Sequence, residues 1–241
     1  MAASAGLTHN FAPQPTIIER LMTDPISPQK VSLPLVIGGI VLMILGVLTA
    51  RYILGPHQRH AALPNDLQAT YLEQGKPIAD INLTDDNHKP FDAARFKDKW
   101  TFMFFGYTNC PDVCPSTMLV MKGVWQSLPA DARSEPSPQM VFVSVDPDRD
   151  TLDKLKKYVA FFNPDFLGVT GKAAQIDKLT NQVGVLYGFD DDPDGKGYTV
   201  KHSAQIILID PKGDMRAVFS PPFKTEDMVK TFVQIRNYYK G

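Results

Sequence analysis

The chain has 241 residues, a formal net charge of -1 and a pI near 6.5, which leaves no basic face for DNA or RNA and argues against a nucleic-acid partner. With 44% hydrophobic residues it can hold one domain of ordinary size, with its own core, plus an appendage. Its two cysteines are too few to staple a fold, so their value lies in chemistry or in one local bridge.

Residues Met1 to Lys30 show little periodicity, and their charges (Glu19, Arg20, Asp24, Lys30) cancel. A mitochondrial transit peptide would be rich in Arg and poor in acids, so residues 1–30 read as a short disordered tail. Val31 to Ala50 then runs for 20 residues without a charge, between Lys30 and Arg51. A helix of that length spans roughly 30 Å, the hydrocarbon thickness of a bilayer, and predicts a single transmembrane anchor over 31–51. A cleaved signal would have an apolar core of roughly 7 to 15 residues and a small-x-small cleavage site, which Thr49-Ala50-Arg51 matches poorly. Arg20 and Lys30 before the span balance Arg51 and Arg59 after it, so the positive-inside count gives no orientation. Residues 52–66, with Pro56, Pro64, His57 and His60, read as a linker whose histidines are solvated side chains.

The remaining domain, 67–241, reads as alternating strands and helices. Ile78 to Leu83 is part-alternating, as a half-buried strand can be, and Asp85 to Pro90 supplies a hairpin turn. Trp100 to Gly106 is a nearly continuous apolar run, as expected of a central strand covered on both faces. Pro115 to Leu128 follows as a helix with Met118, Met121, Trp125 and Leu128 on one face. Met140 to Val145 and Phe166 to Thr170 are further strands, and Thr151 to Phe162 and Ala173 to Val183 further helices, a pattern that argues for parallel pairing. Ala204 to Ile209 and Met215 to Phe219 form a closing hairpin around Asp210-Pro211-Lys212-Gly213-Asp214, and Thr225 to Tyr239 is a last helix. The class is α/β: a mixed sheet flanked by helices.

Both cysteines lie in Gly106-Tyr107-Thr108-Asn109-Cys110-Pro111-Asp112-Val113-Cys114-Pro115, between a strand and a helix. Cys114 falls at the helix start, where exposed N–H groups and the helix dipole favour a thiolate and lower its pKa. Inert cysteines have no reason to cluster in a turn flanked by prolines. The pair is open to three readings: a redox disulfide, a metal site, or both. A metal site on two thiolates needs a further ligand, for which His202, Met118 and Met121 are the candidates; soft thiolates suit Cu(I), whereas structural zinc wants four protein ligands. The methionines belong to an apolar helical stripe and read as core. His202 sits where the chain enters Ala204 to Ile209, ordinarily a structural place, unless that strand runs antiparallel to Trp100 to Gly106 and brings the imidazole to the cysteines. Asp190-Asp191-Asp192-Pro193-Asp194-Gly195 imitates the start of a calcium loop but has Lys201 where the twelfth-position Glu belongs, so it reads as a solvated turn. In Ser144 to Thr151, Asp150 can cap the following helix, and the carboxylates of this segment can border the cysteine site.

The cysteine motif, the Ser144 to Thr151 segment, and His202-Ser203 followed by Leu208 to Gly213 together resemble the Sco/SenC family of copper-binding assembly factors for cytochrome c oxidase, over roughly Asp80 to Tyr239. The resemblance implies a thioredoxin-like fold carried by a single N-terminal transmembrane helix. It implies copper held by Cys110, Cys114 and His202 and delivered to the binuclear copper centre of the oxidase. The implied partners are the copper-bearing oxidase subunit and other copper chaperones or thiol reductants, with the membrane engaged through the anchor. A thiol-disulfide oxidoreductase that keeps the oxidase cysteines reduced, using Cys110 and Cys114 as its redox pair, is the alternative. The family implies a domain in the periplasm, at a bacterial inner membrane. Where relatives often carry Asp before the histidine, this chain has Lys201, a cation that could alter the imidazole's orientation.

Overall fold

The computed structural model describes residues 33–54, 69–134, 136–191 and 197–240, in two compact units, Met1–His57 and Gln58–Gly241. The tail 1–30, most of the linker 52–66 and the acidic turn 192–196 lie outside the described residues.

In the first unit, a helix α1 covers Leu33–Leu54, 22 residues, where the uncharged run predicts one. Its described side chains are exposed, among them Ile37, Leu42, Met43 and Leu48. Among the described residues no helix is long and apolar enough to cross a membrane.

The second unit is built on an eight-stranded sheet in the order β1-β10-β9-β4-β5-β6-β2-β3, where β1 is Ala69–Pro77, β2 Leu83–Asp85, β3 Pro90–Phe91, β4 Trp100–Gly106, β5 Pro138–Ser144, β6 Leu167–Thr170, β9 Ile206–Ile209 and β10 Asp214–Phe219. The strands β4, β5 and β6 are parallel, joined through the helices α2 (Val113–Ser127), the short α3 (Ala130–Arg133) and α4 (Leu152–Phe162). Helices α5 (Ala173–Val183) and α6 (Thr225–Lys240) complete the layers. All seven residues of β4 are buried, as a strand covered on both faces requires. Its aromatic run forms the core: Phe102 lies 4.9 Å from Phe232 of α6, ring centre to ring centre, and Phe104 6.1 Å from Phe142 of β5. Burying each such ring contributes about 1.5–3 kcal/mol.

Strand β9 pairs antiparallel with β4, Phe104 opposite Ile206. The start of β9 therefore lies at the end of β4, beside the cysteines. Between α5 and β9 the chain forms a separate two-stranded ribbon, β7 (Tyr187–Asp191) against β8 (Tyr198–His202), which among the described residues shares no ladder with the main sheet. The sequence reading contains no strand there.

The expected strand Ile78 to Leu83 is displaced. The strand is Ala69–Pro77, and the segment after it turns at Asp80, whose φ is 53°. Its backbone is satisfied from α5 rather than from a neighbouring strand: Gln182 accepts from Ala79 N at 2.9 Å and Gln175 from Asn82 N at 3.0 Å. Ile78, Ile81 and Leu83 are nevertheless buried, so the apolar pattern marks burial and not extension. The hairpin across Asp85 to Pro90 is present as β2–β3, Leu83 opposite Phe91.

Candidate metal centre

Three elements deliver the donors. The loop leaving β4 carries Cys110, the first turn of α2 carries Cys114, and the last residue of β8 is His202. Their ligand atoms all lie within 4.8 Å of one another, with Cys114 Sγ 3.3 Å from His202 Nε2. Both cysteines are free thiols; Cys114 is buried and Cys110 half-buried. His202 Nδ1 lies 3.1 Å from the carbonyl of Ser203, so Nδ1 donates there and Nε2 is the ring nitrogen that faces the sulfurs. The imidazole is held edge-on by Phe104 and Tyr107, with ring centres 6.0 and 6.2 Å away. Two sulfurs and one imidazole nitrogen converging at this spacing form a soft, three-donor set suited to Cu(I) and Cu(II). Met118 and Met121 are fully buried in the core, as their helical stripe predicts.

The two thiols are unequal, and in the opposite sense to that expected from the helix start. Cys110 is the acidic one, lowered to about 4, chiefly by a hydrogen bond from Cys114, with burial opposing and the backbone N–H groups of Cys114 and Asp112 assisting. Cys114 is pushed up, by holding that proton and by burial. The N–H of Cys114 points at Cys110 Sγ, 3.4 Å away; the helix terminus therefore favours a thiolate on the residue before it, not on the one within it. Because its thiolate form persists well below neutrality, Cys110 is expected to react with iodoacetamide at a rate that is flat from about pH 6 to 8, with Cys114 protected. Peptide mapping of the label checks this, and a rate rising tenfold per pH unit would count against it.

The cysteine loop is fixed by a carboxylate. Asp150, fully buried, accepts from Thr108 N at 2.8 Å, Thr108 Oγ1 at 2.5 Å and Ser144 Oγ at 2.7 Å, and pairs with Lys154 at 3.2 Å. Lys154 also donates to Asn109 Oδ1 at 2.9 Å. The capping role expected of Asp150 belongs instead to Thr151, whose side chain accepts from Lys154 N. The segment's carboxylate borders the cysteine loop, as the other reading of that segment has it. Gly106 is required by close approach: a Cβ there would lie 2.5 Å from Cys114 Sγ and 3.0 Å from the Phe142 ring.

Lys201 does not disturb the imidazole. Along β8, Val200 and His202 share one face and Lys201 the other, where it is exposed and ion-paired to Asp190. Neither the anchoring of Thr108 by Asp150 nor the steric need for Gly106 was visible as a motif. The one signal for the ribbon was the alternation Tyr198, Val200, His202 after Gly197.

A family model described as SCO1/SenC matches residues 70–237. A protein of Stutzerimonas stutzeri is 32% identical over 174 residues, 72% of this chain and 84% of that one. Among solved structures, Bradyrhizobium japonicum ScoI with copper bound is 34% identical, with a TM-score of 0.57 over 68% of this chain and 98% of that one. Apo Sco1 from Thermus thermophilus is 30% identical, with a TM-score of 0.61 over 72% of this chain and 97% of that one. Against mammalian mitochondrial SCO2 proteins the match spans only 50–59% of the relative's length.

Proposed function

Since the chain belongs to the SCO1/SenC family, we propose that its thioredoxin-like domain takes copper as cargo on Cys110, Cys114 and His202 and delivers it to the binuclear copper centre of cytochrome c oxidase during assembly. The observation that carries this reading is the convergence of two sulfurs and Nε2 within 4.8 Å, with the other ring nitrogen, Nδ1, oriented by the Ser203 carbonyl. Cys110 binds as a preformed thiolate, Cys114 surrenders its proton on binding, and Ser203 holds the imidazole in orientation.

The copper-bearing oxidase subunit is the proposed acceptor, with other copper chaperones or thiol reductants loading and reducing the site. Helix α1 is proposed as the membrane anchor, the domain standing in the periplasm of a bacterial inner membrane. The support is the uncharged 20-residue run, the exposure of its apolar side chains, and Thr49, whose hydroxyl is satisfied inside the helix by Leu45 O at 2.7 Å, as a hydrocarbon environment demands.

A second reading has its own observation. An ionised, half-exposed Cys110 beside a protonated Cys114 is also the arrangement of a thiol-disulfide reductant, in which Cys110 attacks and Cys114 resolves. The full chain, purified anaerobically in detergent, separates the two. Copper transfer predicts about one copper per chain, lost in Cys110→Ser and Cys114→Ser and weakened in the Cu(II) state by His202→Ala. Disulfide reduction that needs both cysteines but is indifferent to His202→Ala, together with copper below about a tenth of an equivalent, would replace the first reading with the second.

A further inference from the structure

The donors come from two separate parts of the domain. Cys110 and Cys114 belong to the loop and helix that follow β4, whereas His202 belongs to a ribbon that, among the described residues, shares no ladder with the main sheet. The ribbon is tied to the sheet by the short chain from His202 into β9, and beyond that by side chains. At its base Tyr187 Oη donates to Asp177 of α5 at 2.5 Å, and Val200 is buried against the core. At the other end of β8 the hold is Arg149. Its Nε donates to Asp146 Oδ2 at 2.6 Å and its Nη1 to the carbonyl of Tyr198 at 2.8 Å. The guanidinium lies 3.7 Å above the Tyr198 ring and 5.6 Å from the Tyr107 ring. Tyr198 Oη closes the loop by donating to Asp146 Oδ1 at 2.7 Å. Tyr107, in turn, begins the cysteine loop and meets His202 edge-on.

We propose that Arg149 is the positioning residue of the centre: anchored on Asp146, it joins the cysteine loop to the histidine ribbon and so sets His202 Nε2 over the two sulfurs. The inference rests on the copper reading above. Three features support it. Arg149 meets the exit of β5, the cysteine loop and the ribbon together, beside Tyr107, which reaches the ribbon at Val200 and His202. Its fork and its flat face are used at once, which a lysine cannot reproduce. Its Nη2 is buried without a partner among the described residues, a cost that an ordinary surface arginine would escape by turning to water.

Loss of the arginine should separate the two oxidation states of the cargo. Cu(I) is satisfied by two thiolates, whereas Cu(II) leans on the imidazole nitrogen. In the full chain, Arg149→Met is expected to weaken Cu(II) about tenfold, remove the imidazole-nitrogen splitting from the Cu(II) resonance spectrum, and leave Cu(I) affinity within about threefold. That raises the copper reduction potential by about 59 mV, the one-electron equivalent of a tenfold change. Arg149→Lys should not rescue the signal; Tyr198→Phe, which keeps the stacked ring, should retain most of it. The metal-free arm is amide exchange: β8 should lose about tenfold in protection while β4 and β5 keep theirs.

The inference is overturned if Arg149→Met keeps the nitrogen splitting and β8 protection, or if β4 and β5 loosen along with β8, which marks a role in general stability. His202→Ala identifies which imidazole gives the splitting. Should the unmodified chain bind no copper, the copper reading fails, and the exchange arm still decides whether Arg149 holds the ribbon.

Discussion

Asp150→Ala is expected to destabilise the domain by about 3–5 kcal/mol and to release the cysteine loop. The deletion leaves the Thr108 amide and hydroxyl and the Ser144 hydroxyl without their acceptor, and Lys154 without its carboxylate. Since Asp150 is fully buried, water cannot replace it without opening the site. Two measurements check this: the denaturant midpoint, and the pH profile of iodoacetamide labelling, in which a loosened Cys110 should regain the steep dependence of an ordinary thiol. Asp150→Asn keeps both acceptor directions in part and should lose less than half as much. If alanine costs under about 1 kcal/mol, the carboxylate does not hold the loop.

Gly106→Ala is expected to cost about 1–3 kcal/mol from overpacking and, more tellingly, to damage the centre itself. The added methyl would occupy space 2.5 Å from Cys114 Sγ, with the Phe142 ring at 3.0 and 3.1 Å closing the other side. The sulfur is the softer neighbour, so it moves, and the 3.3 Å approach to His202 Nε2 is lost. Copper titration of the variant should show weakened binding in both oxidation states, in contrast to the selective loss expected at Arg149. Wild-type affinity with unchanged stability would mean that β4 shifts enough to absorb the methyl.

The legible part of the fold was the part written by burial. Trp100 to Gly106 reads as a central strand because seven consecutive apolar or small residues have no solvent face, and Ala173 to Val183 as a helix because Ile176, Leu179, Thr180 and Val183 fall on one buried side. The donors were legible as residue types, Cys110 and Cys114 by their clustering and His202 through resemblance and the antiparallel placement of β9. What the sequence hid was relational. The ribbon β7–β8 is short and half-exposed, so its pattern is weak. The locks at Asp150 and Arg149 join residues 42 and 49 positions apart, and nothing local announces such pairs. The same holds for the thiols: helix position alone favours an ionised Cys114, but the burial of that sulfur and the direction of its own N–H transfer the charge to Cys110.

The unequal cover over the three donors has a kinetic consequence. Cys114 is closed to solvent, while Cys110 and His202 are partly open. In the proposed transfer an acceptor's ligands can reach the ion only from the open side. They would displace the outer sulfur and the imidazole first, with Cys114 last to let go. Exchange of that kind would be a hand-over between two proteins in contact, with the buried sulfur the last donor to be released.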